Sequence, residues 1–340
     1  MRTPSHQGTS SELLRSIWRN RSLAACALLP VAGLYGALSG LQRKLYHLGI
    51  KKGQHPGVPV IVIGNVIAGG AGKTPVTLAT VEHLKARGLR PGIISRGYGR
   101  NLNDCREARP ESLPLDVGDE PLLMARSSGV PVFVARQRID AARALLAAYP
   151  DTNILVCDDG LQHLALARDL EICVFNDEGI GNGWLLPAGP LREPWPRQAS
   201  AILYSASSPP KGTPSSTPSF RLQRELASYA LRSNGERVPL SSLHEVKLHA
   251  LAAIARPEDF FAMLRAQSLD LTSSEALPDH YNFENWQPPH NQHLQVICTE
   301  KDAAKLWQLM PQALAVPLQL QIDPEYFDLL DTQLCLSFTH

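Results

Sequence analysis

The chain has 340 residues, of which 44% are hydrophobic and 19% are charged, and its formal net charge is +1 at pH 7. A chain of this length can bury a sizeable core and is long enough for two domains, whereas its near-neutral charge excludes the basic excess of a general nucleic-acid-binding protein. The six cysteines have no CxxC spacing, which argues against a zinc module and a disulfide framework.

Residues 1–50 are predicted to contain an apolar, membrane-associated helix. The segment 23–41, LAACALLPVAGLYGALSGL, carries no charge and has basic residues on both flanks. Its length approaches that of a spanning helix, but Pro30 and three glycines weaken a span, so we expect a helix that lies in the membrane interface. A cleaved signal peptide and a buried core helix are the alternatives. The expected lipid-facing residues include Trp18, Leu28, Leu29, Leu34 and Tyr35.

After Pro56, short β-branched runs alternate with amphipathic segments. Continuous apolar strands separated by helices indicate a parallel sheet that is covered on both faces. We therefore predict an α/β core domain at residues 51–215, a doubly wound parallel sheet of the P-loop NTPase type. The predicted strands are 58–64, 91–95, 130–135, 153–159, 171–175 and 201–205, and the predicted helices are 75–87 and 139–149.

The strongest motif is GNVIAGGAGKTP, residues 64–75, which lies between the first predicted strand and the first predicted helix. Glycines let backbone N–H groups turn toward phosphates, and the following helix presents its positive N-terminus to them. Lys73 is expected to contact the β- and γ-phosphates of ATP, and Thr74 to bind Mg²⁺ through its hydroxyl. The usual pattern has glycine where this chain has Ile67, and a glycine-rich turn with an incidental lysine is the alternative. The predicted nucleotide-binding residues are Ile67, Ala68, Gly69, Gly70, Ala71, Gly72, Lys73 and Thr74.

Two carboxylates stand at the end of a later strand of the predicted core domain. Asp158 and Asp159 come directly after Ile154–Cys157, where the carboxyl ends of parallel strands form the ligand-binding edge of the sheet. Since Mg²⁺ needs oxygen ligands in addition to phosphate, Asp158 and Asp159 join Thr74 as predicted metal ligands. A simple turn at Asp159 and Gly160 is the alternative.

A Pro/Ser-rich stretch at 207–219, SSPPKGTPSSTPS, predicts a surface linker or loop. We predict a smaller α/β domain at residues 216–340 after it, with a tail beyond Val316 that packs on either unit. Its predicted strands are 220–231, 247–254 and 294–299, and its predicted helix is 257–266.

The phosphate loop alone does not name a reaction, because P-loop proteins include kinases, GTPases, ATPases and partitioning switches. A GTPase would carry an NKxD or TKxD motif, but this chain has TEKD at 299–302. A partitioning ATPase would carry a lysine before the double glycine, where this chain has Ala68. Both classes are disfavoured.

Taken together, the motifs resemble those of the lipid A 4'-kinase (tetraacyldisaccharide 4'-kinase) family, in the same order and over nearly the whole chain. This family shares the GNxxxGGxGKTP form of the loop, which accounts for Ile67. The matching segments are GNVIAGGAGKTP (64–75), SRGYGR (95–100), VGDEP (117–121), DDGLQH (158–163), GNGWLLPAGPLREP (181–194), AAIARPEDFF (252–261), PDH (278–280) and TEKDAAKL (299–306).

The resemblance implies an enzyme that uses ATP and Mg²⁺ to phosphorylate the 4'-hydroxyl of a tetraacyldisaccharide 1-phosphate, a glycolipid precursor of lipid A. It implies a peripheral or monotopic location on the cytoplasmic face of the inner membrane of Gram-negative bacteria. A membrane-associated P-loop ATPase switch or chaperone, which does not phosphorylate a small molecule, is the alternative.

The resemblance also implies catalytic residues besides Lys73. Asp119 is implied as the base that accepts the hydroxyl proton, acting with His280, since a carboxylate paired with an imidazole orients the base and raises its proton affinity. On residues alone, a helix N-cap at Asp119 and a surface loop histidine at His280 are the alternatives. The remaining candidates, for contact with the substrate or for support of the acidic pair, are Asn65, Arg96, Tyr98, Gln162, His163 and Arg192; solvated loop residues and a structural histidine are the alternatives.

Overall fold

The computed structural model of the chain describes residues 17–69, 72–254, 256–279, 281–284, 286–287 and 294–337. The strands, in chain order, are β1 Val60–Gly64, β2 Pro91–Ser95, β3 Arg106–Ala108, β4 Val132–Val134, β5 Ile154–Asp158, β6 Leu170–Phe175, β7 Ala201–Tyr204, β8 Ser219–Leu226, β9 Tyr229–Leu231, β10 Arg237–Pro239, β11 Leu248–Ala252, β12 Leu271–Ala276, β13 Gln295–Thr299, β14 Leu314–Val316 and β15 Leu318–Ile322. The α-helices are Leu23–Ala27, Leu29–His47, Lys73–Ala86, Pro114–Val117, Asp119–Ser128, Arg138–Ala148, Pro257–Ala266, Glu300–Leu306 and Pro324–Ser337.

The first sheet has the strand order β15-β8-β7-β6-β1-β5-β2-β4-β3. The strands from β8 to β4 run parallel, and the two edge strands, β15 and β3, run antiparallel to their neighbours. The phosphate loop follows β1 in the middle of this sheet, and the carboxyl end of β5 lies beside it. The predicted α/β architecture with a parallel sheet is therefore the observed one.

Alternate residues of β1 pack on opposite faces of the sheet. Ile61 and Ile63 belong to a core cluster that includes helix Lys73–Ala86, whereas Val60 and Val62 belong to a second cluster that includes helix Arg138–Ala148. A strand buried on both faces needs apolar residues at every position, which is why β1 reads as a continuous apolar run.

The second sheet has the strand order β10-β9-β14-β13-β11-β12. Its strands β11, β12, β13 and β14 pair in parallel, and helix Pro257–Ala266 packs on it through buried Phe260, Phe261 and Leu264. The division of the chain near residue 215 stays a prediction. Two strands after that point, β8 and β15, pair with each other and extend the first sheet.

The C-terminal helix, Pro324–Ser337, packs back on the first sheet's helix Lys73–Ala86. Fully buried Tyr326 shares a 2.9 Å hydrogen bond with Thr80, and His83 lies 2.9 Å from Asp331. The tail of the chain thus returns to the layer that carries the phosphate loop.

The N-terminal segment forms helices Leu23–Ala27 and Leu29–His47. Ser22 caps the first helix by accepting a hydrogen bond from Ala25 N at 3.2 Å, and Pro30 stands in the first turn of the second, where a missing N–H costs nothing. Within the described residues, no helix combines the length and the apolar character needed to cross a membrane.

Candidate active site

The phosphate loop connects β1 to helix Lys73–Ala86. Gly69 and Gly72 have φ angles of +110° and +80°, in a backbone region that residues with a Cβ rarely adopt. Gly72 caps the helix and Lys73 is its first residue, so the backbone turns into the helix N-terminus as the motif requires. The predicted loop residues Gly70 and Ala71 lie outside the described residues.

The first part of the loop is held by the segment 181–194. Ala68 N donates to Pro190 O at 2.7 Å, and Ile67 forms an isolated antiparallel bridge with Leu191. Ile67 is 3% exposed, so the residue that departs from the usual glycine pattern serves as an apolar anchor for the loop.

The Lys73 ammonium lies in a polar cluster below the loop. Its Nζ is 3.3 Å from Asp159 Oδ1 and donates to Asn65 Oδ1 at 3.3 Å. Asn65 in turn donates from Nδ2 to Gly69 O at 3.1 Å. The sequence-predicted residues Asn65, Lys73 and Asp159 are therefore brought together, and Asn65 orients both the lysine and the loop.

Asp158 ends β5 and is fully buried. Its Oδ1 accepts a hydrogen bond from Thr77 Oγ1 at 3.2 Å, while its Oδ2 has no hydrogen-bond partner within the described residues. Burial, followed by the charge of Glu120, raises the pKa of Asp158 to about 7, against the opposing charge of Lys73. A buried carboxylate with one unmet oxygen is suited to a cation.

Asp159 has a different environment from its neighbour. It adopts a positive φ of 49°, and its carboxylate lies 3.3 Å from Lys73 Nζ and 3.2 Å from Arg192 Nη1. Burial raises the pKa of Asp159, but the charges of Lys73 and Arg192 outweigh it, and the net effect is a lowered pKa. The two cations therefore hold Asp159 ionised, and its role as a direct metal ligand stays a prediction.

Asp119 begins helix Asp119–Ser128, and Gly118 occupies the N-cap position with a φ of 94°. The N-cap interpretation of Asp119 is therefore wrong, because the residue lies in the first helical turn. Its side chain is 9% exposed, and its carboxylate accepts a hydrogen bond from Lys305 Nζ at 2.8 Å. His280 lies outside the described residues, so its pairing with Asp119 stays a prediction.

Gln162 and His163 contact residues other than the acidic pair, so support of Asp158 or Asp159 by His163 stays a prediction. Gln162 Nε2 donates to Asn65 O at 3.0 Å and to Glu193 Oε1 at 2.7 Å, so it ties the phosphate loop to the segment 181–194. The His163 ring accepts a 3.4 Å hydrogen bond from Arg138 N. Burial and the charges of neighbouring arginines lower the pKa of His163 to about 4, which keeps the ring neutral.

Arg96 and Tyr98 follow β2 at the same carboxyl edge and are exposed; Tyr98 is 68% exposed. Arg192 is half-buried and directed at Asp159. Arg192 thus joins the acidic pair, whereas Arg96 and Tyr98 follow a strand that ends at the same edge of the sheet, and contact of the three residues with substrate stays a prediction.

The N-terminal segment contacts the segment 181–194, which carries Arg192, through Trp18 and through Tyr35 of helix Leu29–His47. Trp18 Nε1 donates to Pro187 O at 2.9 Å, and Tyr35 OH donates to Arg192 O at 2.6 Å. Both side chains are half-buried and direct their polar groups at the protein, and their contact with lipid stays a prediction. Leu29 and Leu34 are exposed and Leu28 is half-buried, and the lipid-facing role expected of all three stays a prediction.

Three contacts at the site were not foreseen from the sequence: those of Lys305, Tyr35 and Arg224. Arg224 extends from β8 so that its guanidinium lies against Gly72, where an added Cβ would come within 2.5 Å of Nη2. All three residues are far along the chain from what they touch. The signal in the sequence was indirect: Lys305 lies in the TEKDAAKL segment, and Arg224 in a strand of alternating polarity.

The chain has clear relatives among known proteins. A family model described as tetraacyldisaccharide-1-P 4'-kinase (LpxK) matches residues 24–335. The chain is 62% identical over 334 residues to the tetraacyldisaccharide 4'-kinase of Acidovorax sp. (strain JS42), with 98% of each chain covered. It is 47% identical over 328 residues to the protein of the same name from Polaromonas naphthalenivorans (strain CJ2), with 94% of each covered. Among solved structures, the "apo" form of LpxK from Aquifex aeolicus in complex with ATP matches with a TM-score of 0.80 at 28% identity, over 92% of this chain and 99% of that one.

Proposed function

The chain belongs to the tetraacyldisaccharide 4'-kinase family, and we propose that the site at the carboxyl edge of its first sheet performs the phosphoryl transfer. The enzyme is an ATP-dependent kinase that transfers the γ-phosphoryl group to the 4'-hydroxyl of a tetraacyldisaccharide 1-phosphate, a step of lipid A biosynthesis. Membership of this family favours the kinase over the ATPase or chaperone alternative.

The observation that carries the assignment of the site is the position of Lys73. Its side chain is 9% exposed and stands at the start of a helix behind two glycines with positive φ, and its ammonium is oriented by Asn65 and Asp159. Phosphoryl transfer depends on alignment and on neutralising the charge of the transferred group. A lysine fixed in this way needs little reorganisation when the triphosphate binds.

Mg²⁺ would be held by Asp158 and the Thr74 hydroxyl together with phosphate oxygens. The unmet Oδ2 of buried Asp158 fits this role, and Thr74 is 8% exposed at the start of the helix. Mg²⁺ is usually bound through one or two carboxylates plus phosphates and water, and Asp158 would supply such a carboxylate. When bound, the ion would neutralise charge on the β- and γ-phosphates.

Asp119 is the proposed acceptor of the hydroxyl proton, with His280 as its partner. The carboxylate lies in the first turn of a helix, where the positive end of the helix dipole favours its ionised form. A base must be ionised before it can take the proton, and it must be held in one orientation while the substrate approaches.

We propose that the enzyme attaches to the cytoplasmic face of the bacterial inner membrane as a peripheral or monotopic protein. Helix Leu29–His47 exposes Val31, Leu34, Leu38 and Leu41, at 54%, 63%, 61% and 56%. Their spacing of three and four residues places them on one face of the helix, and such a face suits the boundary between headgroups and acyl chains. The glycolipid substrate is presented at the same boundary.

The test is an assay of label transfer. The full chain is incubated with γ-labelled ATP and tetraacyldisaccharide 1-phosphate in detergent micelles, and label is measured in the lipid and in inorganic phosphate. We expect label in the lipid, and Lys73→Ala to lower that rate by at least about 100-fold with the thermal transition retained. Lys85→Ala, on the same helix but in its last turn, is the control. Lipid labelling that survives Lys73→Ala would contradict the assignment of the site.

A further inference from the structure

The Lys305 ammonium connects the part of the chain that carries the second sheet to Asp119, the proposed base, beside the first sheet. Lys305 lies in helix Glu300–Leu306, which follows β13 of the second sheet. Its Nζ lies 2.8 Å from Asp119 Oδ2, on the first sheet's helix, and donates to Tyr281 O at 3.2 Å. The lysine and the aspartate are separated by 186 residues in the chain.

The contact is largely shielded from water. The Lys305 side chain is 15% exposed and that of Asp119 is 9% exposed, so the pair is screened far less than a surface ion pair. A carboxylate buried to this extent is stable as an anion only when it is hydrogen-bonded and paired. Lys305 supplies both conditions at one oxygen.

The second acceptor of Lys305 is as informative as the first. Tyr281 follows the PDH segment, so the ammonium that binds Asp119 also binds the backbone next to the predicted partner, His280. Lys301, one turn earlier on the same helix, lies 3.2 Å from Asp279 on the other side of that position. Two lysines of one short helix thus bind Asp279 and Tyr281, and Lys305 does so while bound to the proposed base.

We propose that Lys305 is a positioning residue for phosphoryl transfer, which holds the Asp119 carboxylate in one orientation and at the same time binds the backbone of Tyr281. The proposal rests on the proposed role of Asp119 as the base. The hydrogen bonds from Lys305 to Asp119 and Tyr281 lead to the base and to the segment beside it, so Lys305 acts on turnover through Asp119.

The test compares Lys305→Met, which keeps the side-chain stem and removes the ammonium, with Lys305→Arg, which keeps the charge and the capacity for two hydrogen bonds. Lys85→Met is the matched control, since Lys85 also bridges a carboxylate and a backbone carbonyl, Glu82 Oε2 and Ser128 O, each at 3.0 Å and away from the site. Initial rates are measured with ATP and tetraacyldisaccharide 1-phosphate, each varied separately, beside thermal unfolding.

We expect Lys305→Met to lower kcat by about 10- to 100-fold, below the ~10²- to 10⁴-fold that a positioned general base contributes. The KM for ATP should change by no more than about twofold. Lys305→Arg should recover a substantial part of kcat, and Lys85→Met should keep the parent kcat. A folded Lys305→Met with unchanged kcat, or a loss confined to the KM for ATP, overturns the proposal. If Lys305→Met does not fold, Lys305→Gln takes its place, with the same outcomes.

Asp119→Asn separates this proposal from the one on which it rests. If Asp119→Asn keeps its activity, the assignment of the base fails, whatever Lys305→Met does. If Asp119→Asn loses activity and Lys305→Met does not, the base stands and the role of Lys305 fails. With both roles correct, adding Lys305→Met to Asp119→Asn should cause little further loss, because residues that act as a unit are not additive.

Discussion

Asp158→Asn should change stability and activity in opposite directions. The substitution keeps the shape of the side chain and removes a buried negative charge. In the parent chain Asp158 is fully buried, with Oδ1 bound to Thr77 and Oδ2 unmet within the described residues. Burial and the charge of Glu120 raise its pKa from 3.8 to about 7, so without a cation the folded state keeps a proton that the unfolded chain releases.

The sign and size of the stability effect follow from this difference. Between about pH 4 and pH 7 the folded protein binds more protons than the unfolded chain, so the free energy of unfolding falls as pH rises and levels off above about pH 7. The pKa of Asp158 rises from 3.8 to about 7, a difference of about three pKa units. At about 1.4 kcal/mol per pKa unit, ionised Asp158 lowers the free energy of unfolding by at most about 4 kcal/mol. The amide introduced by Asp158→Asn does not titrate but buries a donor without a partner, at about 1–3 kcal/mol. At pH 8 the difference between these costs is a net gain of about 1–3 kcal/mol for the variant.

The assay measures unfolding of the full chain by denaturant, with a chelator present, from pH 4.5 to pH 8. The parent should lose stability relative to Asp158→Asn across that range, and Mg²⁺ with ATP should stabilise the parent more than the variant. Kinase activity of the variant should fall by about 100-fold or more and recover in part at high Mg²⁺. Asp151→Asn, at a side chain that is 84% exposed, is the control for a change of net charge. Parallel pH curves for parent and Asp158→Asn would refute the reasoning, and an unchanged dependence on Mg²⁺ would remove the metal assignment.

Two further predictions address the loop and the N-terminal helices. Gly72→Ala should raise the KM for ATP by about tenfold or more, because the new Cβ would lie 2.5 Å from the Arg224 guanidinium and the φ of +80° disfavours a residue with a Cβ. Gly88→Ala is the control, since Gly88 has a φ of +77° and open space where the Cβ would lie. Equal effects of the two substitutions on the KM for ATP would exclude the contact with Arg224 as the cause. Deleting residues 1–50 should release the protein from membranes. It should also lower kcat, because the hydrogen bond from the Tyr35 hydroxyl to Arg192 O is lost. A truncated chain that still sediments with lipid vesicles would show that another surface carries the attachment.

The central strands were predictable from the sequence because their burial leaves a local trace. Strands β1, β2, β5, β6 and β7 are almost entirely buried, and a strand covered on both faces must be apolar throughout. Their bounds agree with the predicted ones to within two residues. The proximity of Lys73 to the acidic pair followed from the rule that parallel strands end at one edge, and the 3.3 Å separation of Lys73 and Asp159 agrees with it.

Pairing across long chain separations left no such trace. A strand was predicted at 220–231, but the sequence did not indicate that β8 would pair with β7 on one side and β15 on the other, because strand pairing depends on tertiary packing. The sequence also does not indicate the distant partners of side chains. Judged from its neighbours alone, a lysine in TEKDAAKL belongs to the charged first turns of a helix. Only the fold shows that Lys305 reaches Asp119.

The N-terminal helices and the second sheet reach the site by separate routes. From one side, Tyr35 holds the backbone of Arg192, whose guanidinium contacts Asp159, which in turn contacts Lys73. From the other, Lys305 holds Asp119. The first route begins on the helix that exposes an apolar face, so that helix is connected by direct contacts to the lysine proposed to bind the phosphates. With the proposed membrane attachment, the orientation of Lys73 would depend on the same helix that brings the enzyme to its glycolipid acceptor.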